Sequence, residues 1–218
     1  MRVNGLILAL LVEALTLLPG CNIIAAMAYF FGPPQVQPAE FKLTEGRLVV
    51  LVEMARPEQD HPIFRQALCD KLTEVFREHN IRAQLVPQEE IYRLRQQNAD
   101  FGKWSVQKVG QRLDARQILY VRVEQLQLRE APDSPVLQPG VRLRLRLVDP
   151  QAPAKTAQLW PGARERDGRE VARARQHREA TDPMVIDEEA AKLGKDAAYL
   201  VAAPFYDVDL EKKTPWEP

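Results

Sequence analysis

The sequence has no excess charge of either sign: thirty lysines and arginines balance thirty aspartates and glutamates over 218 residues. A chain without a net field is not steered toward a polyanion, which argues against nucleic acid as a partner. Nucleophiles are scarce as well. Ser105 and Ser134 are the only serines, and neither stands in a Gly-x-Ser-x-Gly elbow. Cys69 falls mid-helix, away from any base that would activate it. His61, His79 and His177 are scattered and show no ligand spacing of a zinc site. Pro161-Gly162 and Asp167-Gly168 are isolated turns and do not form a phosphate loop. The acidic clusters Glu89-Glu90 and Asp187-Glu188-Glu189, and the pair Asp207 and Asp209, read as helix-end and surface groups. The expectation is therefore a protein that is not an enzyme, with no catalytic residue, no metal and no cofactor.

What the sequence does contain begins with a short positive start, Met1-Arg2-Val3-Asn4, followed by the apolar segment Gly5 to Leu18, the length of the middle of a secretory signal. Leu18, Gly20 and Cys21 stand where bacterial lipoprotein signals place a leucine, a small residue and the cysteine that accepts lipid. The segment resembles such a lipobox, with Pro19 and Glu13 as departures. A second apolar run, Ile23 to Phe31, leaves an uncleaved membrane helix as the alternative. Glu13, Pro19, Gly20 and Asn22 interrupt that span, and a charge near its middle would cost about 2.5 to 3.5 kcal/mol. Asn22 follows the cysteine in place of Asp, which in the resembling enterobacterial system implies the outer membrane.

The expected organisation is a signal peptide at 1–20, a lipidated apolar segment and proline-rich tether at 21–44, a domain at 45–206 and a polar tail at 207–218. Within the domain, Arg47 to Met54 is a β-branched apolar run, the pattern of a central strand covered on both faces. Pro62 opens a helix with Phe64, Leu68, Leu72, Val75 and Phe76 at helical spacing, ending at His79-Asn80. Cys69 reads as a small buried apolar residue, with a disulfide to Cys21, excluded if Cys21 carries lipid, as the alternative. A short strand, Ile81 to Val86, precedes a helix from Pro87 and a helical piece from Ser105 to Leu113 that packs through Gly110. Gln117 to Leu128 is a long strand whose alternation changes near Glu124-Gln125, the signature of a bulge. Val141 to Val148 alternates strictly, with Val141, Leu143, Leu145 and Leu147 inward and Arg142, Arg144 and Arg146 outward. Lys155 to Trp160 reads as a further strand, Glu170 to Arg178 as a charged edge strand or a loop, and the alanine-rich stretch after Asp182-Pro183 as the last helix.

The order β-α-β-α-β-β-β-α implies an α/β (α+β) sandwich, a mixed sheet of about five strands with helices packed on it. With the lipobox cysteine, the tether, the strand RLVVLVEM, the phrase VGQRLDARQILYVRV, the strand and turn VRLRLRLVDP and the closing helix, the chain resembles the group that contains the curli secretion protein CsgG, the lipoprotein activators of penicillin-binding proteins and the amino-terminal domain of TolB. The resemblance implies a periplasmic lipoprotein, attached to the membrane through lipid on Cys21, that acts as a non-enzymatic adaptor in wall synthesis or envelope transport. Its partner is then an envelope protein or the cell-wall glycan. Two alternatives stand beside it: a homo-oligomer forming a curli-type secretion channel, and an envelope hydrolase with an unrecognised site. The sharpest surface feature is the arginine face of Arg142, Arg144 and Arg146, joined by Arg122 on the neighbouring strand. It is either a partner-binding face or a solvated face paired with Glu124 and helix carboxylates.

Overall fold

A computed structural model of the protein describes residues 36–131, 134–179 and 182–209. The expected signal, Cys21, the first part of the tether and the tail from residue 210 onward lie outside the described residues. In chain order the elements are β1 (Val36–Gln37), β2 (Gly46–Met54), α1 (Pro62–Glu78), β3 (Ala83–Leu85), α2 (Gln88–Gln97), α3 (Val106–Arg112), β4 (Gln117–Arg129), β5 (Val136–Val148), β6 (Gln158–Trp160), β7 (Arg169–Ala174), β8 (Arg178–Glu179), α4 (Pro183–Ala202) and β9 (Val208–Asp209).

The main sheet is mixed and open. Its path is β3-β2-β4-β5-β6, with β7 and β8 also paired to β5. β2 pairs in parallel with β3 and β4; α1 carries the chain from β2 to its neighbour β3, and α2 and α3 carry it from β3 past β2 to β4. β4 and β5 are antiparallel, and β6, β7 and β8 follow one another along the outer edge of β5. The charged segment expected around Glu170 to Arg178 is ordered as the two strands β7 and β8. The sheet has seven strands where about five were expected, because that outer edge is tiled by three short pieces instead of one. The strand expected over Lys155 to Trp160 is confined to its last three residues.

Strand alternation sends the two faces of the sheet into two cores. Leu48, Val50 and Val52 of β2 join Leu119, Val121 and Val123 of β4 and Leu143, Leu145 and Leu147 of β5 under α1 and α4. Phe64, Leu68 and Leu72 of α1 meet that face fully buried, each contributing roughly 1.5–3 kcal/mol by leaving water. On the opposite face, Val49, Leu51, Ile118 and Tyr120 pack under α2 and α3 through Ile91, Val109 and Leu113. The register of β4 against β5 shifts between Val123 and Gln125. This bulge returns Leu126 to the first core, which is why the sequence alternation changes there without a change of face.

Two glycines permit close approach. A Cβ on Gly110 of α3 would stand 2.3 Å from Ile118 Cδ1, and one on Gly194 of α4 would stand 2.5 Å from the Phe64 carbonyl oxygen of α1. Local signals set the helix ends: Ser105 accepts from the Lys108 N–H at 3.2 Å, and Asp182 accepts from the Met184 N–H at 2.9 Å.

Residues 36–41, expected as part of a tether, contact the body of the domain. β1 pairs antiparallel with β9, Phe41 donates its N–H to the Pro204 carbonyl at 3.1 Å, and Glu40 accepts from Trp160 Nε1 at 3.1 Å. Phe205 and Tyr206 are buried beside it, and Tyr206 stacks on His79 at the carboxyl end of α1.

Candidate functional site

α2 and α3 cover one face of the sheet only over its β2 and amino-terminal β4 portion. Beyond them the same face of β4, β5 and β7 carries charged side chains. Cross-strand register sets four of these in one row: Glu53 opposite Arg122, Arg122 opposite Arg144, and Arg144 opposite Glu170. Like charges directly opposite repel, so this row of arginines needs carboxylates beside it. Glu124 supplies one. It accepts from Arg144 Nε at 2.9 Å and lies 3.7 Å from Arg122 Nε. Glu170 supplies the other, at 3.2 Å from Arg144 Nη2 and 3.5 Å from Arg142 Nε.

Arg146 is placed differently. Its register partner is Tyr120, and its guanidinium lies over that ring at 5.0 Å. The Tyr120 hydroxyl donates to Glu53 Oε2 at 2.9 Å, and burial, reinforced by that carboxylate, pushes the phenol up to about 12. Tyr120, Arg122, Glu124, Arg144, Arg146 and Asp167 border a depression of about 310 Å³. Arg122 and Arg142 remain about half exposed and Arg144 about a third.

The structure thus brings Arg122, Arg142, Arg144 and Arg146 onto one bare sheet face. The carboxylates that meet them are Glu124 and strand-borne Glu170; helix carboxylates take no part. Sequence alternation found the arginines. It could not find Glu53, Glu170 or Tyr120, whose places depend on register across four strands.

Other sequence candidates are dispersed. Cys69 is buried and free, with burial pushing its thiol up to about 12, so it is a poor nucleophile. His61 precedes the first turn of α1, and His177 is exposed in the link between β7 and β8. Glu189 does not serve as a helix-start group. It is buried, 3.3 Å from Arg175 Nε and 3.0 Å from Lys192 Nζ, in a cluster that ties the segment after β7 to α4. Among the described residues no group of three or more histidine, cysteine or carboxylate side chains is placed to hold a metal ion, and no helix is long and apolar enough to cross a membrane.

The fold defines the class as an α+β sandwich built on an open mixed sheet. No family model matches the chain, and no curated protein matches it. Among solved structures it is similar to lipoprotein GNA1162 of Neisseria meningitidis, at 15% identity and a TM-score of 0.41 over 71% of this chain and 99% of that one. It is also similar to protein XCC0632 of Xanthomonas campestris, at 12% identity and a TM-score of 0.45 over 78% and 90%. A third is the PelC dodecamer of Paraburkholderia phytofirmans, at 14% identity and a TM-score of 0.36 over 79% and 95%. None of the three bears the name of a curli secretion protein, a penicillin-binding-protein activator or TolB. No role, partner or assembly of this chain follows from likeness at that level.

Proposed function

We propose that this chain is a lipoprotein of the bacterial cell envelope, held to the membrane by lipid on Cys21, whose sandwich domain works in the periplasm as a non-enzymatic binding module. The partner is another envelope component with an acidic surface, a protein or the anionic cell-wall glycan. It docks on the face formed by Arg122, Arg142, Arg144 and Arg146.

The observation that carries this reading is the bare sheet face. Helices bury the same face a few residues away, yet the β4–β5–β7 portion leaves Arg122 and Arg142 about half exposed and Arg144 and Arg146 partly exposed. Arg146 makes no ion pair among the described residues and is held in place by the Tyr120 ring. A guanidinium oriented by an aromatic face is ready to form a bidentate contact with an incoming carboxylate or phosphate. The anchor rests on the Leu18, Gly20 and Cys21 pattern, and Asn22 after the cysteine favours the outer membrane.

Two arms test the proposal. Full-length protein expressed in a bacterium with a labelled fatty acid is expected to carry label at Cys21 and sediment with outer membranes, and Cys21→Ser to lose both. Purified cell-wall sacculi and envelope extracts are expected to retain the protein in low salt, and Arg142→Glu with Arg146→Glu to abolish retention while leaving the thermal transition in place. Retention unaffected by these charge reversals would refute the binding face.

A further inference from the structure

β2 is nine residues long, and its two neighbours cover it unequally. β4 pairs with it from Leu48 to Met54, whereas β3 covers only Gly46, Arg47 and Leu48 on the other edge. In a parallel ladder one residue turns both main-chain groups to one neighbour, and the next residue turns them to the other. The Leu48 carbonyl accepts from the Val86 N–H at 2.9 Å and the Val50 carbonyl from Gln88 Nε2 at 3.2 Å, both on the β3 side. The Arg47 carbonyl faces β4, where it accepts from the Arg116 N–H at 2.8 Å. Val52, two residues beyond Val50, therefore aims its N–H and C=O to the β3 side, past the point where β3 has ended. Among the described residues those two groups meet no partner strand.

The space beside them is a cleft of about 660 Å³, floored by Leu51 and Val52 and walled by the first turns of α1 and α2. Its volume is in the range of ligand sites, and its place is the carboxyl end of a parallel strand. Ile91 and Tyr92 give the α2 wall an apolar lining, with Tyr92 largely exposed. The charges at the mouth are unequally engaged. Arg65 is taken up by Asp60, and Arg95 lies over the Phe101 ring at 5.0 Å. Asp70 and Glu89 form no ion pair among the described residues.

We propose that this slot takes a short extended peptide from a partner protein, which adds to the sheet beside β2 as a continuation of β3 and places a basic side chain between Asp70 and Glu89. Main-chain pairing with Val52 supplies the affinity, and the alternate side chains of the peptide meet the α2 wall of Glu89, Ile91 and Tyr92 on one side and the α1 wall with Asp70 on the other. The Gln88 amide already imitates one rung of such a strand on Val50. The slot is separate from the arginine face and opposite to it in charge preference, so the two sites stand or fall independently.

The test uses the full-length protein in detergent and a fluorescent five-residue probe of alternating valine and lysine. A second probe has the same sequence, N-methylated at the residues that would face β2, and a third replaces lysine by glutamate. The first probe is expected to bind, the N-methylated probe to bind at least tenfold more weakly, and the glutamate probe likewise. Gln66→Trp, which fills the cleft from the exposed side of α1, is expected to abolish binding, and Arg142→Glu to leave it unchanged. No binding of the first probe, equal binding of the N-methylated probe, or equal binding to Gln66→Trp would each overturn the proposal.

Discussion

Arg122 of β4 and Arg144 of β5 stand directly opposite one another, and the two positive charges are held side by side by one carboxylate, Glu124, 2.9 Å from Arg144 Nε and 3.7 Å from Arg122 Nε. The bulge after Val123 makes this geometry. It leaves Glu124 on the arginine side of the sheet while Leu126 returns to the core. Glu124→Gln is therefore expected to lower stability by about 0.5–1 kcal/mol, the scale of a directly opposed like-charge pair losing its counter-ion near the surface. Adding Arg122→Gln should recover most of that loss. Urea unfolding of the two single variants and the double variant checks this, and additive effects would contradict it.

At Gly194, α4 approaches the α1 backbone closely. An added Cβ would meet Phe64 backbone oxygen at 2.5 Å and Leu68 backbone nitrogen at 3.1 Å, atoms that cannot turn aside. Gly194→Ala is expected to cost about 1–3 kcal/mol despite the better helix propensity of alanine. At roughly 2–4 °C per kcal/mol for a chain of this size, calorimetry should record a clear fall in Tm. A rise would contradict the close packing.

His79 stacks on Tyr206 with ring centroids 3.5 Å apart and planes 14° from parallel. Burial lowers the imidazole pKa, with the Glu78 carboxylate opposing it. A lowered folded-state value means that the folded protein holds neutral His79 more firmly than the unfolded chain does. The contribution is present above the unfolded value of about 6.5 and is lost as pH falls through the folded one. An NMR titration of His79 is expected to show a midpoint below that of a model peptide, moving upward in Tyr206→Ala. A midpoint above the peptide value would contradict the stacked, partly desolvated ring.

Arg175 reaches both Asp196 Oδ2 at 2.6 Å and Glu189 Oε2 at 3.3 Å, and Glu189 is buried. Removing the cation leaves a buried carboxylate with less compensation, so Arg175→Met is expected to destabilise by about 2–4 kcal/mol. Hydrogen exchange should quicken in β7 and in the middle of α4, where the cluster joins them. Unchanged exchange would show that the segment is held by backbone pairing with β5 alone.

Much of the fold is legible from local chemistry. The β-branched run at β2, the helical stripe of α1, the alternation of β5 and the bulge in β4 each follow from side-chain periodicity, which is local. The short strands are less legible. β3 ends at Leu85, and Val86 continues only with one hydrogen bond to Leu48, because Pro87 opens α2 and turns the chain away from β2. That early departure creates the open slot, and no property of Ile81 to Val86 alone announces it. The arginine face was half legible for a related reason. Alternation puts Arg142, Arg144 and Arg146 on one side, while the Glu53–Arg122–Arg144–Glu170 row and the Arg146–Tyr120 contact come from register between strands far apart in sequence.

The measurement that tests the central claim most directly is site-specific photo-crosslinking in living cells, with the reactive residue placed at Arg142 on the bare sheet face and, as a control, at exposed Arg77 near the carboxyl end of α1, away from both proposed docking sites. The account predicts adducts to an envelope protein or wall glycan from position 142 and not from position 77, abolished when Arg144→Glu and Arg146→Glu are added. Adducts from position 77 alone, or adducts from position 142 that survive the charge reversals, would contradict it.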